Sequence, residues 1–205
     1  LAAHRRRGPG LSRLALIVVD GLALDQWRVI RQVWLEEDRP WTAQESAIFT
    51  WIPTLTSIAR QAIFAGQPPQ LFPDTWHITN AEETRWQKFW QEHGLTKSAV
   101  GYARNLGVRP LDLPPATPAG SSTPDPQAYL EVDVLKLIED RRYEVIGLVV
   151  NTVDNICHGM QLGTGGMHQQ VRQWMTQQPY LTQLVAKLLT EGVEGFLTAD
   201  HGNIT

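Results

Sequence analysis

The sequence predicts an α/β three-layer sandwich with a mainly parallel central sheet. Continuous apolar runs of strand length recur along the chain, and such runs mark strands buried on both faces, as in parallel sheets. Amphipathic stretches of helical period separate them, so strand and helix alternate. Three of the runs end in an aspartate, at Asp20, Asp154 and Asp200, and ligands in open α/β sheets collect beyond the carboxyl ends of the strands. No internal repeat competes with this reading.

Residues 1–12 read as an N-terminal flank. The basic stretch His4-Arg5-Arg6-Arg7 runs into Gly8-Pro9-Gly10 and lacks a signal peptide's apolar segment. It reads as a solvated linker, with a nucleic-acid-touching arm as the alternative. Residues 14–19, Leu-Ala-Leu-Ile-Val-Val, form the first strand, closed by Asp20-Gly21. A helix over 25–34 follows, with Trp27, Ile30 and Trp34 at helical spacing and Asp25 as its cap. A short helix starts within Thr54-Leu55-Thr56-Ser57 and closes at Gly66. The next amphipathic helix covers 81–93, with Trp86, Phe89 and Trp90 on one side, and a strand follows over 98–102.

Residues 107–126 carry six prolines and Gly120-Ser121-Ser122, which excludes helix and central strand and predicts a long surface loop. Order resumes with a helix over 126–140, a strand over 145–153, one helix over 167–189 and a strand over 195–199. Eight tryptophans are many for 205 residues. Those at 27, 34, 86 and 90 fall on helical stripes and read as core, with a base-stacking surface as the other option.

Eighteen Lys and Arg against 21 Asp and Glu give a net charge of -3, so there is no broad basic field for gripping a phosphate backbone. No apolar run approaches the roughly 18 to 20 residues of a membrane helix. The single cysteine, Cys157, forms no internal disulfide and reads as a buried small hydrophobe ahead of a thiolate nucleophile. A cytoplasmic location without membrane contact follows by elimination. The chain starts at Leu1 and stops at Thr205, soon after His201-Gly202, so both ends look cut from something larger.

Asp154 is followed by His158, and Asp200 by His201. Carboxylate and imidazole together suit Zn or Mn, whereas a pure oxygen set suits Mg or Ca. Each aspartate alone reads as a helix cap or turn former. Their conjunction at three strand ends points to metal, and two clusters suggest two ions. A nucleophile is available at Thr56, at a helix start where backbone amides favour negative charge. A dication would deprotonate that hydroxyl. Thr54 and Ser57 are rivals, and a plain N-cap cluster is the non-functional alternative. Arg60, one turn later, either binds the non-transferring oxygens of a phosphoryl group or is a surface salt-bridge partner. The segment 163–168 lacks the Lys-Ser/Thr ending of a P-loop. His168 and Arg172 remain substrate-contact candidates.

These motifs resemble the alkaline phosphatase superfamily. Val18-Val19-Asp20-Gly21 is similar to its first metal-ligand strand, Val153-Asp154-Asn155-Ile156-Cys157-His158-Gly159 to its Asp-x-x-x-His motif, and Thr198-Ala199-Asp200-His201-Gly202 to its Asp-His-Gly motif. The segment Thr56-Ser57-Ile58-Ala59-Arg60, with Ala65-Gly66 behind it, resembles a sulfatase nucleophile segment, and this register favours Thr56 over Thr54. The wording of residues 53–66, with Cys157-His158-Gly159-Met160, looks most like the PglZ domain of bacterial phage-defence (BREX) systems.

The resemblance implies an alkaline phosphatase-like catalytic domain over 13–205. It implies two divalent ions, Zn preferred to Mn, with one held by Asp20, Thr56, Asp200 and His201. The other is held by Asp154, His158 and a further histidine that follows the Asp-His motif, and none of His77, His93 and His168 stands in that place. The domain therefore reads as truncated before its last ligand, with little activity as an isolated piece. The implied function is hydrolysis of phosphate esters, as a phosphatase or phosphodiesterase in phage defence, through a phospho-threonine at Thr56. The implied partners are a phosphate-ester substrate, with nucleic acid one candidate, and other phage-defence proteins. A phosphomutase of the same superfamily needs a cap domain, which residues 107–126 are too short to supply. A metal-stabilised scaffold without turnover is the third reading.

Overall fold

The first strand, β1 (Arg13–Val19), is buried at every position after Arg13. Side chains alternate across a strand, so Ala15, Ile17 and Val19 enter one core and Leu14, Leu16 and Val18 another. A strand that buries both faces needs layers on both sides, and that requirement sets the architecture. The computed structural model describes residues 1–7, 13–108, 129–158 and 163–202. It contains β2 (Val100–Leu106), β3 (Val145–Val150) and β4 (Val193–Ala199), in the order β2-β3-β1-β4 and all parallel.

One face of the sheet is covered by α2 (Leu24–Glu36), α5 (Val132–Glu139), α7 (Gly163–Gln177) and α8 (Tyr180–Thr190). The other carries α3 (Thr56–Ala65) and α4 (Glu82–Glu92), with Phe64, Trp86 and Trp90 buried between helix and sheet. The predicted three-layer α/β sandwich with a mainly parallel sheet is therefore observed. Trp86 and Trp90 lie in the core, and the half-buried Trp27 and Trp34, edge-to-face with each other, pack against its margin. Among the described residues no helix is long and apolar enough to cross a membrane.

Several element boundaries differ from expectation, each for a local reason. Ala2–Arg7 forms a helix, α1, where a solvated linker was expected. Arg5 is buried and paired with Glu144, and His4 bonds Glu194 at 2.9 Å. Asp25 lies inside the first turn of α2 rather than capping it, and Gln26 instead accepts the Ala23 N–H at 3.0 Å. The strand expected over 98–102 begins after a 3-10 turn at Lys97–Ala99 and runs on to Leu106. As an edge strand β2 tolerates its exposed Arg104 and Asn105.

The helix expected over 126–140 begins at Val132. The strand expected to reach Val153 stops at Val150, because α6 (Thr152–His158) starts there and buries Val153 on a helix. An apolar run does not show where strand gives way to helix. The single helix expected over 167–189 is two helices, broken at Pro179, which caps α8. Most of the proline-rich loop lies outside the described residues.

Candidate metal centre

The register of the sheet assembles the site. Val19 pairs with Val150 on one side and Ala199 on the other, so the next residue of each strand, Asp20, Asn151 and Asp200, emerges at one level. Both aspartates are buried, and each has one oxygen tied and one without a hydrogen-bond partner. Asp20 Oδ2 accepts from Arg60 Nη1 at 3.0 Å and Asn151 Nδ2 at 2.8 Å. Asp200 Oδ1 accepts the N–H groups of Gly21 at 2.9 Å and His201 at 2.8 Å. Asp20 Oδ1 and Asp200 Oδ2 are the unpartnered, buried oxygens.

His201 completes the group. Its Nε2 lies 3.8 Å from Asp20 Oδ1 and 3.7 Å from Asp200 Oδ2. Its Nδ1 donates to the Gly202 carbonyl at 3.1 Å, so in the neutral ring Nε2 is the acceptor nitrogen, and it points into the cluster. Three ligand atoms thus converge within 4.8 Å of one another. Two buried carboxylate oxygens without a donor, converging with an imidazole nitrogen, are a donor set that fits a divalent cation, because leaving such oxygens unsatisfied is costly.

Thr56 is the first residue of α3, and its hydroxyl donates to His201 Nε2 at 2.7 Å. Of its rivals, Ser57 donates to the Trp76 carbonyl at 2.5 Å, and Thr54 is exposed. Helix α3 is fixed at its far end by Gly66, whose φ of 60° needs the left-handed region. A further tie comes from Thr50, whose hydroxyl donates to the Asp200 carbonyl at 2.7 Å.

Electrostatics follow from burial. The Asp20 carboxyl is pushed up to about 7, first by loss of water and then by the neighbouring Asp200 charge, with Arg60 acting against both. Asp200 is raised as well, chiefly by burial. Burial also pushes the Cys157 thiol up to about 11, in keeping with a small hydrophobe packed at the core margin.

The remaining predicted site residues stand elsewhere. Asp154 and His158 face each other one turn apart on α6, 3.4 Å between Oδ1 and Nε2. The His158 side chain is 81% exposed, and neither residue joins the Asp20, Asp200, His201 group, although the Asp154 charge still raises Asp20. His168 Nε2 bonds Asp25 at 2.6 Å, and Arg172 pairs with Glu36. These contacts tie α7 to α2. Arg60 is 6% exposed and is no surface residue. It lies between Asp20 and the fully buried Glu82, 3.0 Å from each.

Sequence reasoning missed Asn151, Glu82 and Thr50. Correct placement of the β3 end would have exposed Asn151, since the residue after each parallel strand faces the site. Glu82 carries no comparable local signal.

The family model of the BREX system PglZ alkaline phosphatase-like domain matches residues 3–205. No curated protein matches the chain.

Proposed function

The chain belongs to the PglZ family, the alkaline phosphatase-like domain of BREX systems, and from that premise we propose that it is a metal-dependent phosphate-ester hydrolase with Thr56 as nucleophile. The observation that carries this reading is the 2.7 Å approach of the Thr56 hydroxyl to His201 beside two unpartnered carboxylate oxygens. Asp20, Asp200, His201 and Thr56 would hold one divalent ion, and Asp154 with His158 would contribute to a second. Such an ion supplies Lewis-acid charge that lowers the pKa of a nearby hydroxyl and offsets the charge of a phosphoryl group.

The chain's own residues do the positioning. Helix α3 sets the Thr56 oxygen at its start, where the macrodipole favours negative charge. Asn151 and Arg60 hold Asp20 by one oxygen, and the backbone of Gly21 and His201 holds Asp200. In the reaction the Thr56 hydroxyl loses its proton and Oγ1 bonds to phosphorus, while the ester oxygen leaves with its electron pair and takes up a proton. Water then hydrolyses the threonine adduct, releasing phosphate from a monoester substrate or a phosphomonoester from a diester and restoring the hydroxyl.

The substrate is a phosphate ester, and other defence proteins are the expected partners. Hydrolysis of a generic phosphodiester with Mn²⁺ or Zn²⁺ tests the reading. Turnover should vanish in Asp200→Ala, and turnover that persists there would refute this assignment.

A further inference from the structure

Glu82 is fully buried and lies outside the group proposed to hold the ion. It sits at the start of α4 with Oε1 3.0 Å from Arg60 Nε. Arg104, 40% exposed, is farther off at 4.0 Å and donates to the Thr79 carbonyl at 2.7 Å. Arg60 is thus the close, buried counter-charge of Glu82, and its Nη1 at the same time donates to Asp20 Oδ2.

Two consequences follow from this chain of contacts. Arg60 and Asn151 both engage Oδ2, which turns Oδ1 of Asp20 toward His201. A cation beside Asp20 would also meet the positive guanidinium one carboxylate away, and in a buried site that repulsion is weakly screened. Glu82 cancels it, leaving the two aspartate charges for the cation.

Resting on the metal-centre reading, we infer that Glu82 is a positioning residue for Asp20, acting through Arg60 to orient the carboxylate and to neutralise the guanidinium. Arg60 is then a positioning residue as well, engaged on both sides, and not a contact to the substrate's non-transferring oxygens.

Mn²⁺ binding by calorimetry and by its paramagnetic resonance signal tests this in wild type, Glu82→Gln and the double variant Arg60→Gln/Glu82→Gln. Glu82→Gln keeps the side-chain shape and should weaken Mn²⁺ about tenfold or more, as positioning partners of metal ligands commonly do. The double variant removes the uncancelled charge while the amide introduced at position 60 still offers Asp20 an N–H donor, so binding should return to within about threefold of wild type, which a merely structural role would not produce. An unchanged Glu82→Gln, or a double variant as weak as the single one, overturns the inference.

If Glu82→Gln fails to fold, the double variant decides alone, since uncharged residues replace a buried ion pair tolerably. Binding near the wild-type level then supports the inference, and a tenfold loss overturns it. A wild type that binds neither Mn²⁺ nor Zn²⁺ overturns the metal reading together with this inference. Wild-type binding with no Glu82 effect overturns the inference alone.

Discussion

The Thr56 hydroxyl lies 2.7 Å from His201 Nε2 across 145 positions of sequence. The first residue of a helix and the second residue beyond a strand meet there. This contact makes Thr56, rather than Ser57 or Thr54, the hydroxyl that faces the cluster.

Replacing Thr56 by Ala should lower phosphodiester turnover by at least about 10³ and weaken Mn²⁺ binding by the loss of one ligand, while the melting temperature stays close to wild type. Thr56→Ser should retain measurable turnover. Stopped turnover with the phosphoryl adduct trapped on residue 56 of the wild type, seen by mass spectrometry, would support the nucleophile. Full activity of Thr56→Ala would exclude it.

The raised Asp20 and Asp200 carboxyls predict a pH dependence of stability in metal-free protein. A carboxyl raised in the folded state favours folding while protonated, so its contribution is complete below its ordinary value near 3.8 and is lost as pH rises through about 7. Thermal scans with chelator should therefore show stability falling between pH 5 and pH 8 by at least about 1 kcal/mol, or roughly 2–4 °C. Saturating Mn²⁺ should abolish the decline, because the cation binds the deprotonated pair. A melting temperature that rises over this range without metal would contradict the placement of these groups.

Asn151→Ala removes one of two side-chain donors to Asp20 Oδ2. Mn²⁺ affinity should fall by about 10- to 100-fold, with a loss of stability of only about 1 kcal/mol. Calorimetric titration showing unchanged affinity would remove Asn151 from the site.

Gly66→Ala tests how α3 is terminated. The new methyl would adopt a φ of 60° and lie 2.7 Å from Phe89 Cε2. Strain and crowding together should cost about 2 kcal/mol, read as a lower denaturation midpoint.

His168→Ala and Arg172→Ala separate packing from substrate contact. Both residues are paired with acids of α2, so each substitution should lower the melting temperature only slightly and change KM less than threefold. A large rise in KM would restore them as substrate contacts.

Much of this was legible in the sequence. The runs ending at Asp20 and Asp200 gave their strands within two residues, because continuous apolar character bounded by Asp-Gly and Asp-His leaves little freedom in placing them. The start of α3 and its Gly66 stop were equally clear. The β3 boundary was not, since Val153 is as apolar on a helix as on a strand, and that error hid Asn151 behind Asp154. Pro179 was read through because the apolar pattern continues on either side of it. Glu82 was invisible for a different reason. An acid in the first turn of an amphipathic helix ordinarily faces water, and only the tertiary approach of Arg60 makes it a buried partner.

The alignment of β1 between its two neighbours has one more implication. Because β1 is apolar on both faces, sliding it by one residue would leave its burial almost unchanged, and the usual penalty for a slipped strand is missing. What discriminates is the polar row at its end: Asp20 must meet Asn151 and Arg60 while Gly21 meets Asp200. The constellation proposed to bind an ion therefore also acts as a vernier for the sheet, and a cation titration would report strand alignment as directly as it reports chemistry.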